Sequence, residues 1–184
     1  MIFQKTNPVG VDWYIDKLQT AIHNGLLEKW SGNPDKFFEC YGRCYRNKND
    51  NGYIAEVLKS GNEYQEVYWN DSLAAISFFG IGSNIGFDKG YSTADVHLVF
   101  FVNLAKIRPE LAGRGDAEVR NDVYEILGPN KFDFEYVSTD LWLENVLREY
   151  PGSRRDQRLK TVDMQPVHCF RINMKLIFNS NKNC

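Results

Sequence analysis

The end of the chain alternates between two kinds of residue, and no other feature constrains the fold as much. Over the eleven residues from 168 to 178, His168, Phe170, Ile172, Met174, Leu176 and Phe178 alternate with Cys169, Arg171, Asn173, Lys175 and Ile177. A period of two predicts a β-strand with one face in the core. A strand so late in the chain needs a distant partner, and the apolar run at residues 94–104 is the simplest one. We therefore expect a sheet built on non-local pairing.

The N-terminal segment predicts one amphipathic helix. Its apolar residues recur at spacings of three and four, at Val11, Tyr14, Ile15, Leu18, Ile22 and Leu26. This spacing places them on one stripe of a helix from about residue 9 to residue 29. The sequence Gly32-Asn33-Pro34 stops the helix, because neither glycine nor proline continues one well.

The segment after this helix has the composition of β-strands. Residues 53–59 and 64–69 form a predicted hairpin through Ser60-Gly61-Asn62, because Gly and Asn tolerate the positive φ of tight turns. Residues 72–79 and 94–104 are apolar at almost every position. Such runs are typical of central strands that are covered on both faces.

Four glycines occur between these two central strands, within residues 80–90. The stretch is too long and too rich in glycine for a tight turn. We expect a projecting β-arm or hairpin loop over residues 79–92, with the aliphatic residues Ile81 and Ile85 exposed on it.

Two more helices are predicted before the closing strand, at about residues 116–127 and 139–150. The predicted fold class is α+β: a mostly antiparallel sheet flanked by an N-terminal helix and two later helices, with a projecting Gly-rich β-arm. No linker or internal repeat divides the chain. We therefore expect a single domain over residues 1–184, with a flexible C-terminal tail at 179–184.

Composition restricts the classes of function. The chain has 184 residues, 43% of them hydrophobic, and its formal charge of -2 comes from 22 Lys and Arg against 24 Asp and Glu. This balance gives no global attraction to nucleic acid, so sequence-specific nucleic-acid binding is not expected. No apolar run approaches the roughly 18 residues that span a bilayer, and the N-terminus lacks the pattern of a secretory signal. We expect a chain made and folded in a cytoplasm, without a membrane partner.

No catalytic motif is recognisable, and the sequence predicts no catalytic residue, no cofactor and no metal ion. The patterns G-x-S-x-G, P-loop, H-E-x-x-H and EF-hand are absent. Cys40 and Cys44 would lie about 13 Å apart on a strand, too far for one zinc ion. The alternative is a small cytoplasmic metal-dependent enzyme that uses Asp95 and His97, which share one face of a strand, with His168 as a candidate third group.

Surface aromatic residues point instead to an assembly interface. Strand alternation predicts that Tyr64, Tyr68, Trp69 and Tyr91 are exposed, and Tyr and Trp are frequent anchors of protein–protein contacts. The predicted oligomer interface combines three of them with apolar residues of the arm: Ile81, Ile85, Phe87, Tyr91, Tyr68 and Trp69.

The order of the elements resembles that of the tail-terminator and tail-completion proteins of tailed bacteriophages. The resemblance rests on the helix Val11–Trp30, the strand Asp95–Leu104 and the strand Val167–Asn179. It extends over most of the chain but includes no diagnostic motif. Because such proteins have no active site, the resemblance implies a role and partners only.

What the resemblance implies is a structural virion protein of the neck or tail, assembled in the host cytoplasm and not an enzyme. Such a protein forms a homo-oligomeric ring that joins the portal or connector to the tail proteins, with passive contact to DNA in the channel. Its arms reach a neighbouring subunit. Additional residues at 30–70 leave open whether the ring is a connector, a stopper or a terminator.

Overall fold

The computed structural model describes residues 1–30, 37–61, 63–88, 90–110, 115–128, 133–155 and 164–178. Within these ranges eight strands and five helices follow one another. They are β1 (Ile2–Phe3), α1 (Val11–Lys29), β2 (Phe38–Asn49), β3 (Gly52–Ser60), β4 (Glu63–Glu66), β5 (Ala75–Asp88), β6 (Tyr91–Asn103), α2 (Leu104–Ile107), α3 (Asp116–Leu127), β7 (Phe134–Leu141), α4 (Leu143–Val146), α5 (Pro151–Arg155) and β8 (Val167–Phe178).

The strands form one sheet in the order β4-β3-β2-β5-β6-β8-β7, with β1 added beside β2. The pairs β5–β6, β6–β8 and β7–β8 are antiparallel, while β1–β2 and β2–β5 are parallel. The closing strand β8 pairs with β6 along its whole length, from Ser92↔Phe178 to Asn103↔Val167. The α+β class, the mostly antiparallel sheet and the N-terminal helix are thus confirmed.

The strand β2 divides between two neighbours. Its first half pairs with β5 as far as Arg43↔Phe79, and from Cys44 onwards it pairs with β3. Because β2 turns away from β5 after Arg43, β3 and β4 curl over one face of the sheet. The same turn leaves the far half of β5 without a partner strand from β2.

The helices α1 and α3 cover the opposite face, which we call the helix face. Even-numbered residues of β6 and β8, from Ala94 to Val102 and from Phe170 to Phe178, pack beneath α1. A buried hydrogen bond joins α1 to the sheet, where Gln19 donates to the carbonyl of Cys40 at 2.8 Å. Another joins the two helices, where the indole N–H of Trp30 donates to Asp122 on α3 at 2.9 Å.

A second core fills the other face, which we call the cleft face. It contains Phe78, Val99 and Phe101 from the sheet, covered by side chains of β3 and by Leu143, Val146 and Leu147. Both faces of β5 and β6 are therefore buried over residues 75–79 and 98–102. This explains why these runs are almost wholly apolar in the sequence.

Two of the predicted elements require correction, and a third lies outside the described residues. The predicted helix at 139–150 is wrong: residues 134–141 form β7, and only the single turn α4 follows. Pairing with β8 outweighs the helical spacing of the apolar residues, because β7 gains backbone hydrogen bonds to β8 and packs Phe134 and Leu141 against the helix-side core. The strand predicted at 64–69 ends at Glu66. The predicted tail at 179–184 is outside the described ranges.

Candidate functional site

The glycine-rich stretch is part of a long hairpin. β5 continues through it to Asp88 and β6 starts at Tyr91, with paired residues from Ile85↔Ala94 to Asp88↔Tyr91 and an irregularity between Ile81 and Ile85. β8 supports the β6 side of this hairpin as far as Ser92. The arm predicted at 79–92 is therefore the outer end of the main sheet, with β5 as its open side.

Apolar side chains are exposed on this arm. Phe87 is 72% exposed, and Ile85 and Tyr91 are each more than half exposed. Strand register places Ile85 and Phe87 on the helix face, level with Ala94 and Ser92. The predicted exposure of Ile81 is wrong: it is half-buried, because it pairs with Val96 and packs against the helix-side core. The arm thus extends the apolar helix face beyond the part that α1 covers.

Gly80 is needed where the hairpin leaves the core. A Cβ atom at this position would lie 2.0 Å from Nε2 of His97 and 2.6 Å from the hydroxyl of Tyr150. Both neighbouring side chains are buried, so neither can move aside easily. The glycine therefore allows an imidazole and a phenol to approach the backbone of β5.

The other two predicted interface residues lie after β4. Tyr68 is partly exposed. Trp69 is only 5% exposed, and its indole N–H donates to Asp71 at 2.6 Å. Its predicted exposure is wrong, because the chain leaves β4 after Glu66 and strand alternation no longer applies at Trp69. Trp69 is a residue of the second core.

Further exposed apolar side chains, which sequence reasoning missed, lie along β7. Tyr136 and Val137 are more than half exposed, and Trp142, just after the strand, is 67% exposed. The backbone of Trp142 has φ 64 and ψ 142, a conformation that residues other than glycine rarely adopt. The run of aromatic and β-branched residues at 134–139 was the available signal, but the predicted helix began at 139 and residues 134–138 were assigned to no element.

A polar cleft of about 590 Å³ opens between β2, β5, β6 and β8. At its floor, His97 is 2% exposed and its Nε2 lies 3.3 Å from the hydroxyl of Tyr150. That hydroxyl lies 2.8 Å from Sγ of Cys44. The three side chains form a buried chain of neutral hydrogen-bonding groups.

An ion-pair network forms one wall of the cleft. Arg171, whose side chain is 4% exposed, donates to both carboxylate oxygens of Glu149, with the Nη2 contact at 2.9 Å. Its Nε donates to Asn173 at 2.7 Å and lies 3.8 Å from Asp140. Arg148 forms ion pairs with both Asp140 and Glu149, each at 3.2 Å. The network therefore neutralises its own charges.

The electrostatics of the cleft do not favour nucleophilic or acid–base catalysis. Burial, together with the charge of Arg171, lowers the pKa of His97 to about 3. Burial raises the pKa of Cys44 to about 12 and that of Tyr150 above its ordinary value. At neutral pH the imidazole is a weak base and the thiol carries no charge.

The residues of the alternative enzymatic hypothesis lie in this cleft without forming a metal site. Asp95 and His97 both line it, Asp95 being exposed and His97 buried. His168 lies elsewhere, beside Phe170 and Arg120. Among the described residues, no group of three or more His, Cys, Asp or Glu side chains could hold a metal ion.

Comparison with known proteins yields little. No family model matches the chain. A stretch of 51 residues is 35% identical to part of a PI-PLC X-box domain-containing protein from Dictyostelium discoideum, and it covers 28% of this chain and 6% of that protein. A match to so small a part of both proteins does not show a family. In the described ranges, no helix is both long and apolar enough to cross a membrane.

Proposed function

We propose that this protein is a structural subunit that closes a homo-oligomeric ring in the neck or tail of a bacteriophage virion, where it joins the portal or connector to the tail. The observation that carries the proposal is the arm. It presents Ile85, Phe87 and Tyr91 to solvent beside a strand edge that has no partner among the described residues. Monomeric proteins avoid such edges, because unpaired backbone groups recruit strands from other chains.

The position in the virion rests on the order of the elements. An N-terminal helix, an antiparallel sheet with a long hairpin and a long closing strand are the features shared with tail-terminator and tail-completion proteins. In this role the chain assembles in the host cytoplasm, contacts the channel DNA passively and performs no catalysis. The weakly basic His97 and the uncharged Cys44 are consistent with that role.

Size-exclusion chromatography with light scattering, followed by negative-stain microscopy, tests the proposal. The expected result is a closed ring for the natural chain and a folded monomer for the double variant Ile85→Ser and Phe87→Ser. Tyr53→Ser is the matched control, because it also removes an exposed apolar side chain but lies on β3. Far-ultraviolet circular dichroism checks that each variant is folded.

A natural chain that stays monomeric up to its solubility limit contradicts the proposal. So does a ring that the arm variant leaves intact. The virion role has a separate test, in which mass spectrometry of purified particles from the encoding phage should detect the chain. Rings in solution combined with absence from the particles would contradict the neck or tail assignment.

A further inference from the structure

The main sheet has two open edges of similar length on opposite sides. Beyond Phe79, residues 80–88 of β5 have no partner on β2 among the described residues, and their pairing with β6 is interrupted between Ile81 and Ile85. Residues 81–83 of this stretch also line the cleft. β7 pairs with β8 along one edge, and it ends the strand order in the described ranges. The open stretch is nine residues long on β5 and eight on β7. A protein that exposes two such edges can join them between copies.

We infer that the arm of one subunit pairs with β7 of the next, as an antiparallel ladder that continues the sheet around the ring. This inference rests on the proposed function, and it names the surface that receives the arm. The occupant of the β7 edge is a second copy of this chain.

The strand directions agree with this arrangement. Three antiparallel steps, β5–β6, β6–β8 and β8–β7, make β7 antiparallel to β5. Rotation about an axis roughly parallel to the strands preserves strand direction and sheet face. The β7 strand of a rotated copy therefore meets β5 in the antiparallel sense, and the contact is head-to-tail, as a cyclic ring requires.

The apolar side chains on the two edges lie on the same face. On β5, Ile85 and Phe87 share the helix face. On β7, Phe134 and Tyr136 pair with Leu176 and Met174, both residues of the helix-side core. Opposite residues of an antiparallel pair point to one face, so a continuous sheet brings these four side chains together.

Face matching also restricts the register to even shifts. Within one subunit, Ile85 pairs with Ala94, Ala94 pairs with Leu176, and Leu176 pairs with Phe134. Ile85 and Phe134 therefore lie at the same height in the sheet, on its two outer strands. A shift of one residue would oppose side chains from different faces, whereas a shift of two, about 7 Å along the strand, preserves them. That shift places Ile85 opposite Tyr136 and Phe87 opposite Phe134. Staggered registers of this kind are usual where sheets close on themselves.

Disulfide trapping tests the pairing. All variants carry Cys184→Ser, and Cys40, Cys44 and Cys169 are buried. Protein with Ile85→Cys is mixed with protein carrying Tyr136→Cys, oxidised and analysed on a non-reducing gel. Opposite residues of an antiparallel pair lie within disulfide reach. When equal amounts of the two variants assemble together, about half of the Ile85→Cys subunits are followed by a Tyr136→Cys subunit in a head-to-tail ring, so about half of the protein should become covalent dimer.

The matched control replaces Tyr136→Cys with Glu135→Cys, one residue earlier on the same strand. Its side chain pairs with Lys175 on the cleft face, so it should not cross-link to position 85. Neither cysteine variant alone should form dimer, because a head-to-tail contact does not bring two copies of one residue together.

The outcomes separate this inference from the proposed function. If the natural chain forms rings but positions 85 and 136 do not cross-link, or position 85 cross-links to itself, the β5–β7 pairing is overturned and the ring remains. If the natural chain is monomeric, both the pairing and the proposed function are overturned. Selective cross-linking of 85 to 136, and not to 135, supports the pairing.

Discussion

Replacing Glu149 by glutamine should destabilise the fold by removing the main partner of a buried guanidinium. Glu149 accepts two hydrogen bonds from Arg171, whose side chain is 4% exposed. Burial raises the pKa of Glu149, but the hydrogen bonds and charge of Arg171 outweigh this effect and lower the pKa from 4.5 to about 2. The carboxylate is therefore strongly stabilised in the folded state.

The magnitude follows from this pKa difference. A folded-state pKa below the unfolded value gives stability that is present above pH 4.5 and lost as the pH falls towards 2. The difference corresponds to ~3 kcal/mol at neutral pH. Because the side chain of Glu149 is 28% exposed, solvent screening reduces this to ~2 kcal/mol. Arg171 retains Asn173 at 2.7 Å in the variant, which also limits the loss.

Urea denaturation at pH 7 and constant protein concentration measures this effect. Glu149→Gln should lose ~2 kcal/mol of unfolding free energy, since removing one member of a buried pair leaves the other uncompensated. Glu144→Gln is the matched control, because Glu144 is exposed on the neighbouring turn α4. A loss in Glu149→Gln no larger than that of the control would refute the reasoning.

Two further predictions concern the floor of the cleft. Gly80→Ala should lower the unfolding free energy by ~3 kcal/mol or more, because the new Cβ would lie 2.0 Å from Nε2 of His97. Gly82→Ala should lower it less, because there the nearest atom, Cβ of Asp95, is 3.1 Å away. Equal melting temperatures for the two variants would contradict this prediction. The pKa of His97 is lowered to about 3 from 6.5, so the unfolded chain binds a proton that the folded chain does not, and stability falls as the pH drops below 6.5. His97→Gln should therefore show ~2 kcal/mol less acid destabilisation between about pH 6.5 and 5 than the natural chain, and parallel stability–pH curves for the two proteins would exclude this account.

Local sequence patterns correctly predicted the elements that keep one face in the same core from end to end. The stripe from Val11 to Leu26 becomes α1, and the alternation from 168 to 178 becomes β8. The apolar run at 94–104 becomes the central strand β6. In each case one face of the element lies in the helix-side core along its whole length, so the local pattern is not interrupted.

Patterns failed where the environment changes within a few residues. The predicted helix rested on the spacing of Leu141, Trp142, Val146, Leu147 and Tyr150, yet Leu141 packs on the helix face while Val146, Leu147 and Tyr150 enter the second core. Their spacing therefore reflects two cores and not one helical stripe. Similarly, the chain leaves β4 just before Trp69, so alternation predicted an exposed indole where a buried one occurs.

The candidate site shows the same division. The sequence alone identified the arm and its apolar residues Ile85 and Phe87, because glycines and an interrupted apolar pattern mark a hairpin locally. The open β7 edge and the cleft depend on which strands become neighbours, and above all on β2 leaving β5 after Arg43. Strand neighbours are chosen by long-range burial of whole faces, and no local pattern encodes that choice.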